Sequence, residues 1–336
     1  MRTIIFNQSS VLPGRQNNTL QYNFPNSVDL TGAQIAVSNV FMYYSWFNIS
    51  TALNNRTYSY NITNSTGLIT RNLTMPEGMY NVSDINAYLQ FSMIANNDYL
   101  INSATGSYVY FAEFQVNPTR YVIEINTFSI PTAAQAAALG WTVPAGGFGG
   151  GAGALPAVNT NANIVLNGNA FGSIIGFAPS FATTPSTAGT TLTFLSSITP
   201  QVQPNPNLLI GITGIDNKYS NPSTIIYSLS PQVGFGELIT ERPAQFNFNK
   251  FLAGTYNQLT LQFLGTNLQP IPIQDPNMTI ICVIRDKDDL VDDIGAGVGG
   301  TSGSQTQQML SRSGATTANR LQLQGGALAN SRFGWN

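Results

Sequence analysis

The sequence has no histidine and little charge of either sign. Its 336 residues include 13 Lys and Arg and 15 Asp and Glu, so 8% are charged and the net charge is −2. An average soluble domain has about 25% charged residues. Without histidine, Ser-His-Asp and Cys-His catalysis and histidine-ligated metal sites are excluded. The single cysteine, Cys282, excludes an internal disulfide and a thiolate-rich zinc site.

Long apolar runs are also missing. No segment approaches the roughly 18 apolar residues of a membrane helix, and residues 1–10 lack the apolar run of a signal peptide. We therefore expect a non-secreted chain without a transmembrane segment.

Motifs of known chemistry are incomplete in this sequence. The glycine-rich residues 146–153 are not followed by the Gly-Lys-Ser/Thr of a phosphate-binding loop. The acidic run at 285–293 lacks the spacing of a calcium-binding EF-hand. The sparse basic residues give no strong signal for nucleic-acid binding. We predict a protein that is not an enzyme, with no catalytic residue, cofactor or metal site.

Neutral polar residues replace the missing charge, and Asn alone occurs 36 times. A surface of this kind is hydrated but only weakly repels copies of itself. The composition therefore indicates a subunit of an assembly rather than a free monomer.

Apolar residues that recur with a period of two predict an antiparallel β protein. Tyr58, Tyr60 and Ile62 form one face of such a strand, and residues 120–128 form the returning strand of a hairpin. Further strands are predicted at 33–43, 108–112, 208–212, 224–229, 258–264 and 279–284. Eight or more such strands indicate an all-β sandwich, jelly roll or barrel.

One short helix is predicted among the strands. Ser83 is the expected N-cap. The apolar residues that follow it at helical spacing are Ile85, Tyr88, Leu89 and Met93. An Ala-rich segment at 133–139 is a second candidate helix.

The distribution of charge and composition divides the chain. Residues 1–130 form the first part of the predicted fold, 131–205 an uncharged insertion or long loops rich in Gly, Ala and Pro, and 206–290 the last strands. Residues 291–336 have the composition of a flexible C-terminal arm.

The uncharged stretch from Ile125 to Ile215 has two interpretations: loops packed against the barrel, or a surface that faces neighbouring subunits. Trp141 and Phe148, the only aromatic residues in 131–157, are candidate interface anchors under the second interpretation and packing residues under the first. The basic residues of the arm are further interface candidates: Arg312, Arg320 and Arg332.

Three segments, in this order and spacing, resemble one protein family. They are SNVFMYYSWFNIS at 38–50, MPEGMYNVSDINAYLQ at 75–90 and NKFLAGTYNQLTLQFLGTNLQPIPIQDPNMTIICVIRD at 249–286. Together they resemble the minor capsid, or penton, proteins of virophages, polinton-like viruses and related large DNA viruses.

The resemblance implies a single eight-stranded jelly roll with a long insertion, one short helix and an extended arm. It also implies a structural protein of the virion, assembled in the infected host cell. The expected form is a homopentamer at the five-fold vertices of an icosahedral double-stranded DNA virus. Its expected partners are neighbouring major capsid protein capsomers and other minor capsid proteins.

Two other functions stay open at this point. One is a minor capsid or cement protein that lies between capsomers without five-fold symmetry. The other is a glycan-binding β-sandwich for host attachment. The aromatic residues that favour the latter are Tyr43, Tyr44, Trp46 and Phe47, although such residues in a strand more often belong to a core.

Overall fold

The computed structural model describes residues 1–151 and 153–286, which form twenty strands and three α-helices. The first ten strands are β1 (Arg2–Phe6), β2 (Thr19–Asp29), β3 (Gln34–Tyr43), β4 (Thr57–Asn64), β5 (Gly67–Thr74), β6 (Leu100–Asn102), β7 (Tyr108–Val109), β8 (Ala112–Asn117), β9 (Val122–Thr127) and β10 (Ser129–Ile130). The others are β11 (Trp141–Thr142), β12 (Thr160–Asn161), β13 (Asn163–Leu166), β14 (Leu192–Leu195), β15 (Leu208–Ile212), β16 (Ile225–Leu229), β17 (Leu238–Glu241), β18 (Asn249–Lys250), β19 (Thr255–Leu264) and β20 (Thr279–Arg285). The helices are α1 (Val82–Ala95), α2 (Ala133–Ala138) and α3 (Phe171–Ile175).

The predicted all-β, jelly-roll-like fold with antiparallel sheets is confirmed. One five-stranded sheet has the order β1-β20-β3-β17, with β18 also paired to β3, and a four-stranded sheet has the order β16-β15-β19-β2. Apolar side chains from both sheets form one buried cluster, the first core. Phe6, Met42 and Phe263 are among its fully buried members. Alternation along each strand directs these residues inward, as expected for packed sheets.

A second buried cluster, the second core, contains residues between Ile49 and Phe177. Its strands form the small sheets β13-β4-β5, β14-β9-β8, β11-β6-β7 and β10-β12. The predicted alternation in β4 is confirmed, because Tyr58, Tyr60 and Ile62 are fully buried. Tyr58 stacks on Phe171 of α3 with ring centroids 4.6 Å apart. Offset stacking of this kind adds to the free energy gained by burying the rings.

The chain leaves the first core after Trp46 and returns to it at Leu208. The indole Nε1 of Trp46 donates to the Asn205 carbonyl at 3.3 Å, and the Asn48 side chain donates to the Val202 carbonyl at 2.7 Å. These bonds join the segment that leaves the first core, at Trp46, to the segment that returns to it, at Asn205. The division of the chain at residues 130, 205 and 290 stays a prediction. The buried residues pass from one core to the other at different positions, after Trp46 and before Leu208.

The second core contains residues from before and after position 130, and the pairing of strands that are distant in sequence explains this. Strand β13 pairs with β4, and β14 pairs with β9. The segment predicted as an insertion therefore supplies strands to sheets that begin before it. Because such pairings depend on contacts distant in sequence, local periodicity does not reveal them.

The helices differ from the prediction in number and in one boundary. The first helix, α1, begins at Val82, and its N-cap is Asn81 rather than Ser83. The Asn81 side chain accepts from the Asp84 amide at 2.9 Å, and the Asp84 carboxylate accepts from the Asn81 amide at 2.9 Å. This reciprocal capping box satisfies two amides that a helix leaves without partners, which makes Asn81 the better cap.

The Ala-rich helix α2 is confirmed, whereas α3 was not predicted. The five residues of α3 are too few to show a helical period, although most of its side chains are buried. No helix in residues 1–151 and 153–286 has the length and apolar character needed to cross a bilayer. The predicted C-terminal arm lies outside the described residues.

Candidate functional site: an apolar sheet edge

Exposed apolar side chains gather at the β17 edge of the first sheet. Tyr43 and Leu238 lie opposite each other in the β3–β17 register and are each 47% exposed. Side chains opposite each other in an antiparallel pair point to the same face. Phe235, which is 46% exposed, lies 6.1 Å from the ring of Phe47. We call Tyr43, Phe47, Phe235 and Leu238 the edge patch.

The position of β17 makes the edge patch available to a partner. Within the described part of the chain, β17 pairs on one side only, with β3. Edge strands of soluble proteins usually carry Lys, Pro or other features that prevent pairing with a further chain. Here the sequence is Leu-Ile-Thr-Glu, in which the one charged residue is Glu241. Its carboxylate is occupied by the Tyr227 hydroxyl at 2.9 Å.

The end of β3 is held firmly beside this edge. The Tyr43 amide donates to the carboxylate of the buried Asp275 at 2.8 Å. The same carboxylate accepts from the Asn277 amide at 2.8 Å, and the Asp275 amide donates to Ser45 Oγ at 3.0 Å. Because the backbone is fixed at this point, the edge patch is a preorganised surface.

Two of the four aromatic residues considered for glycan contact are buried. Trp46 is fully buried, and its ring lies 4.4 Å from that of Tyr44, which is 7% exposed. The interpretation of Trp46 as a core residue is therefore confirmed, and its burial leaves no face for a glycan. The two residues with accessible rings, Tyr43 and Phe47, belong to the edge patch.

A buried ion pair lies beside the second core. The Arg71 guanidinium donates to both oxygens of Asp98, at 3.0 and 3.2 Å, and the Tyr60 hydroxyl donates to Asp98 Oδ2 at 2.6 Å. Burial raises the pKa of the Asp98 carboxyl, and the bonds from Arg71 and Tyr60 offset part of that rise. The bond to Asp98 raises the pKa of Arg71, so the guanidinium keeps its charge at neutral pH.

This ion pair also fixes the glycine-rich loop. Arg71 donates to the Gly149 carbonyl at 2.8 Å, and the Gly149 amide donates to the Asn97 carbonyl at 3.0 Å. A Cβ atom at Gly153 would lie 2.3 Å from the Phe148 carbonyl oxygen, so this position requires glycine. The loop is a packing element, since every group named here is bonded within the chain.

Phe148 lies inside the second core. Its side chain is fully buried and makes an edge-to-face contact with Phe111, with centroids 5.7 Å apart. This burial favours the packing interpretation over a role as interface anchor. The surrounding residues are mostly Gly and Ala, so the sequence did not indicate that the Phe148 ring contacts Phe111.

Trp141 occupies a different environment. It is half-buried, pairs with Asn102 between β11 and β6, and lines a cavity of about 460 Å³ that we call the Trp141 cavity. Leu139, 55% exposed, and the half-buried Phe128 form further apolar walls. The sequence marked Trp141 as isolated and aromatic but did not show the cavity, because its walls come from four separate segments.

The predicted interface residues Arg312, Arg320 and Arg332 lie outside the described residues. No group of three or more His, Cys, Asp or Glu residues suited to a metal ion occurs in residues 1–151 and 153–286. Cys282 is fully buried in β20, and burial raises the pKa of its thiol to about 12.

Comparisons with known proteins give a weak structural likeness to a capsid protein. No family model matches the sequence, and no curated protein matches it. Among solved structures, the chain is similar to the crystal structure of the selenomethionine-labelled mavirus penton protein. The two share 11% sequence identity, the match covers 85% of this chain and 98% of that chain, and the TM-score is 0.37.

Proposed function

We propose that this protein is a structural subunit of an icosahedral capsid and that five copies form the penton at each vertex. The observation that carries the proposal is the edge patch, an exposed apolar surface on a sheet edge in a chain with 8% charged residues. The three sequence segments that resemble penton proteins support it, as does the antiparallel sandwich. Neighbouring capsomers of the virion are the proposed further partners.

A ring requires one surface of each copy to contact a different surface of the next, with a rotation that closes. The edge patch supplies the first of these surfaces. Desolvating its four side chains costs little, because none of them is charged, and its rings belong to the residue types that dominate interface energetics. The function is therefore assembly, and the proposal requires no catalytic group.

The mass of the full-length protein in solution tests the ring. We expect a species near five times 36.1 kDa by native mass spectrometry or light scattering. Leu238→Lys, which places a charge in the edge patch, should convert this species to a folded monomer with an unchanged melting temperature. Lysine on an edge strand is a common natural means of preventing association.

Leu68→Lys is the matched control. Leu68 is also an exposed leucine, at 69%, and lies on β5, an edge strand of a sheet in the second core. We expect this variant to retain the mass of the pentamer. A pentamer that survives Leu238→Lys would contradict the role of the edge patch. A wild-type monomer at all concentrations would contradict a self-assembling ring and favour a cement protein between capsomers.

A further inference from the structure

The sheet that carries the edge patch has a second edge, which is formed by β1. Among residues 1–151 and 153–286, β1 pairs with one strand only, β20, just as β17 pairs only with β3. Ile5 on β1 is 46% exposed, which is close to the 47% of Leu238 on β17. A sheet with two such edges can continue from one copy of the chain into the next by strand addition.

Side chains on the two edge strands alternate between the core and the solvent in the same way. Ile4 on β1 and Ile239 on β17 are buried in the first core. The residues on either side of them are exposed: Thr3, Ile5, Leu238 and Thr240. Strands joined edge to edge keep this arrangement only if exposed residues lie opposite exposed residues, because a slip by one residue exchanges the two faces.

One antiparallel register gives every residue of β17 a complementary residue on β1 of a second copy. Its four pairs are Leu238–Ile5, Ile239–Ile4, Thr240–Thr3 and Glu241–Arg2. They comprise an aliphatic pair on each face, a threonine pair and a pair of opposite charges. Cross-strand pairs of these kinds stabilise antiparallel sheets. A shift by two residues loses the match, since it places Leu238 opposite Thr3 or Glu241 opposite Ile4.

The backbone of β17 also presents hydrogen-bonding groups at this edge. Leu238 lies opposite Tyr43, whose amide donates to the Asp275 carboxylate at 2.8 Å and not to Leu238. Opposed residues in an antiparallel pair exchange both of their backbone bonds or neither. Leu238 therefore directs its amide and carbonyl groups away from β3, and Thr240, two residues further along, does the same. In the register above, both residues face β1 of the second copy.

The pair of Glu241 with Arg2 fixes the register and adds little to affinity. The Tyr227 hydroxyl donates to Oε1 of Glu241 at 2.9 Å, and the other carboxylate oxygen can accept a further bond. A guanidinium has several donors, so a bond from Arg2 adds to the interactions that this residue already makes. Because exposed ion pairs contribute little free energy, the apolar residues carry most of the contact.

We propose that β17 of one copy pairs with β1 of the next, so that the first sheet continues from subunit to subunit around the ring. The inference rests on the proposed function, and it names the second surface that a closed ring of heterologous contacts requires. The partner at the edge patch is thus the β1 edge of another copy of this chain.

Disulfide trapping in the full-length protein tests the pairing. The double variant Ile5→Cys, Leu238→Cys should lose most of its monomer band under mild oxidation and give a ladder of covalent species up to the pentamer on a non-reducing gel. Within one copy, three strand spacings of about 4.8 Å separate the two positions, whereas a disulfide spans about 7 Å at most between Cα atoms. Each new disulfide therefore joins two copies. Cys282 does not contribute, because it is fully buried.

The double variant Val116→Cys, Leu238→Cys is the matched control. Val116 is 48% exposed and lies on β8, an edge strand of a sheet in the second core. We expect this variant to stay monomeric on the gel. Leu238→Cys alone should also give no covalent product. A covalent dimer from this single variant would mean that two edge patches face each other, which contradicts the proposal.

Charge reversal tests the register independently. Glu241→Arg should raise about fivefold the concentration at which half of the pentamer dissociates, because like charges then lie opposite each other. Adding Arg2→Glu should restore the wild-type value. The two residues lie on opposite edges of the sheet within one copy, so this rescue requires a contact between copies.

The failure of this inference and the failure of the ring give different results. A wild-type pentamer with no ladder from Ile5→Cys, Leu238→Cys would overturn the pairing of β17 with β1 and leave the ring intact. A wild-type monomer with no ladder would overturn both. Equal ladders from this variant and from the Val116 control would overturn the pairing, since they would reflect random collisions. Additive losses in the double charge reversal would overturn the register.

Discussion

Arg71 is the ion-pair partner of Asp98, a carboxylate that is fully buried beside the second core. Asp98 has no exposed surface, whereas the Arg71 side chain is 22% exposed. Removing one partner of a buried ion pair is strongly destabilising, because the other charge stays in a medium of low polarity. The Gly149 carbonyl also loses its partner when Arg71 is removed.

Arg71→Met should lower the free energy of unfolding by about 3 kcal/mol at pH 7. Without Arg71, the folded-state pKa of Asp98 rises further above the unfolded value, so the neutral carboxyl favours folding at low pH and this stability is lost as pH rises. The deficit relative to wild type should therefore shrink between pH 7 and pH 5 in urea titrations. Arg120→Met, at an exposed turn, is the control. A deficit independent of pH would contradict this account.

Cys282 should behave as a buried apolar residue. Because burial raises the pKa of its thiol to about 12, native protein should not react with the thiol reagent DTNB at pH 8, and one equivalent should react in denaturant. The raised pKa contributes stability that is present below the ordinary value of 9.0 and lost as pH rises toward 12. Rapid modification of native protein would show that β20 opens.

At the scale of elements, the capping box of α1 is a position where sequence and structure differ. Both Asn81 and Ser83 are favourable cap residues, so residue type alone did not decide between them. The deciding feature is Asp84, which stands three residues after Asn81 and completes the reciprocal bonds. That spacing was present in the sequence and could have identified the helix start.

Asn81→Ala should lower the free energy of unfolding by about 1 kcal/mol, since it leaves the Asp84 amide without its acceptor. Ser83→Ala, inside the first turn, should change it by less than about half of that amount. Paired denaturant titrations measure both. Equal losses would mean that the helix begins later than Val82.

Most strands were predictable because apolar and polar residues alternate along them in the sequence. The strands β9, β15, β19 and β20 lie within a few residues of the expected ranges. The range 108–112 was wrong for the outgoing strand of the hairpin, because that strand is β8 at Ala112–Asn117, and Tyr108–Val109 forms the separate strand β7, which pairs with β6. The second core was not predicted as a unit. Its sheets depend on pairs such as β13 with β4, whose partners are about a hundred residues apart. Pairing between strands so far apart in the chain produces no periodic pattern in the sequence.

The candidate sites were predictable only in part, for a related reason. Composition indicated an uncharged assembly surface, but Leu238 and Phe235 belong to a segment with too few apolar residues to stand out. Trp141 was noticed as isolated, and so was Phe148. Only the fold distinguishes them, because it places Trp141 beside a cavity and Phe148 in contact with Phe111.

At the scale of the whole molecule, the low charge has a measurable consequence for the proposed ring. Salt weakens interfaces that depend on charge pairs, because the Debye length falls from about 10 Å at 0.1 M to about 3 Å at 1 M. An interface built on the edge patch should be insensitive to this change. We expect the pentamer to keep its mass from about 0.05 to 1 M NaCl in light scattering. Dissociation at high salt would indicate a charged interface instead.

The hydrogen bond between the Trp46 indole and the Asn205 carbonyl has a further consequence. Their hydrogen bond means that the segment between them starts and ends at neighbouring points. A linker of about four residues, at up to about 3.5 Å each, would join those points directly. We therefore expect that the segment between them can be replaced by such a linker, or by a foreign domain whose termini lie close together, while both sheets of the first core keep their connections.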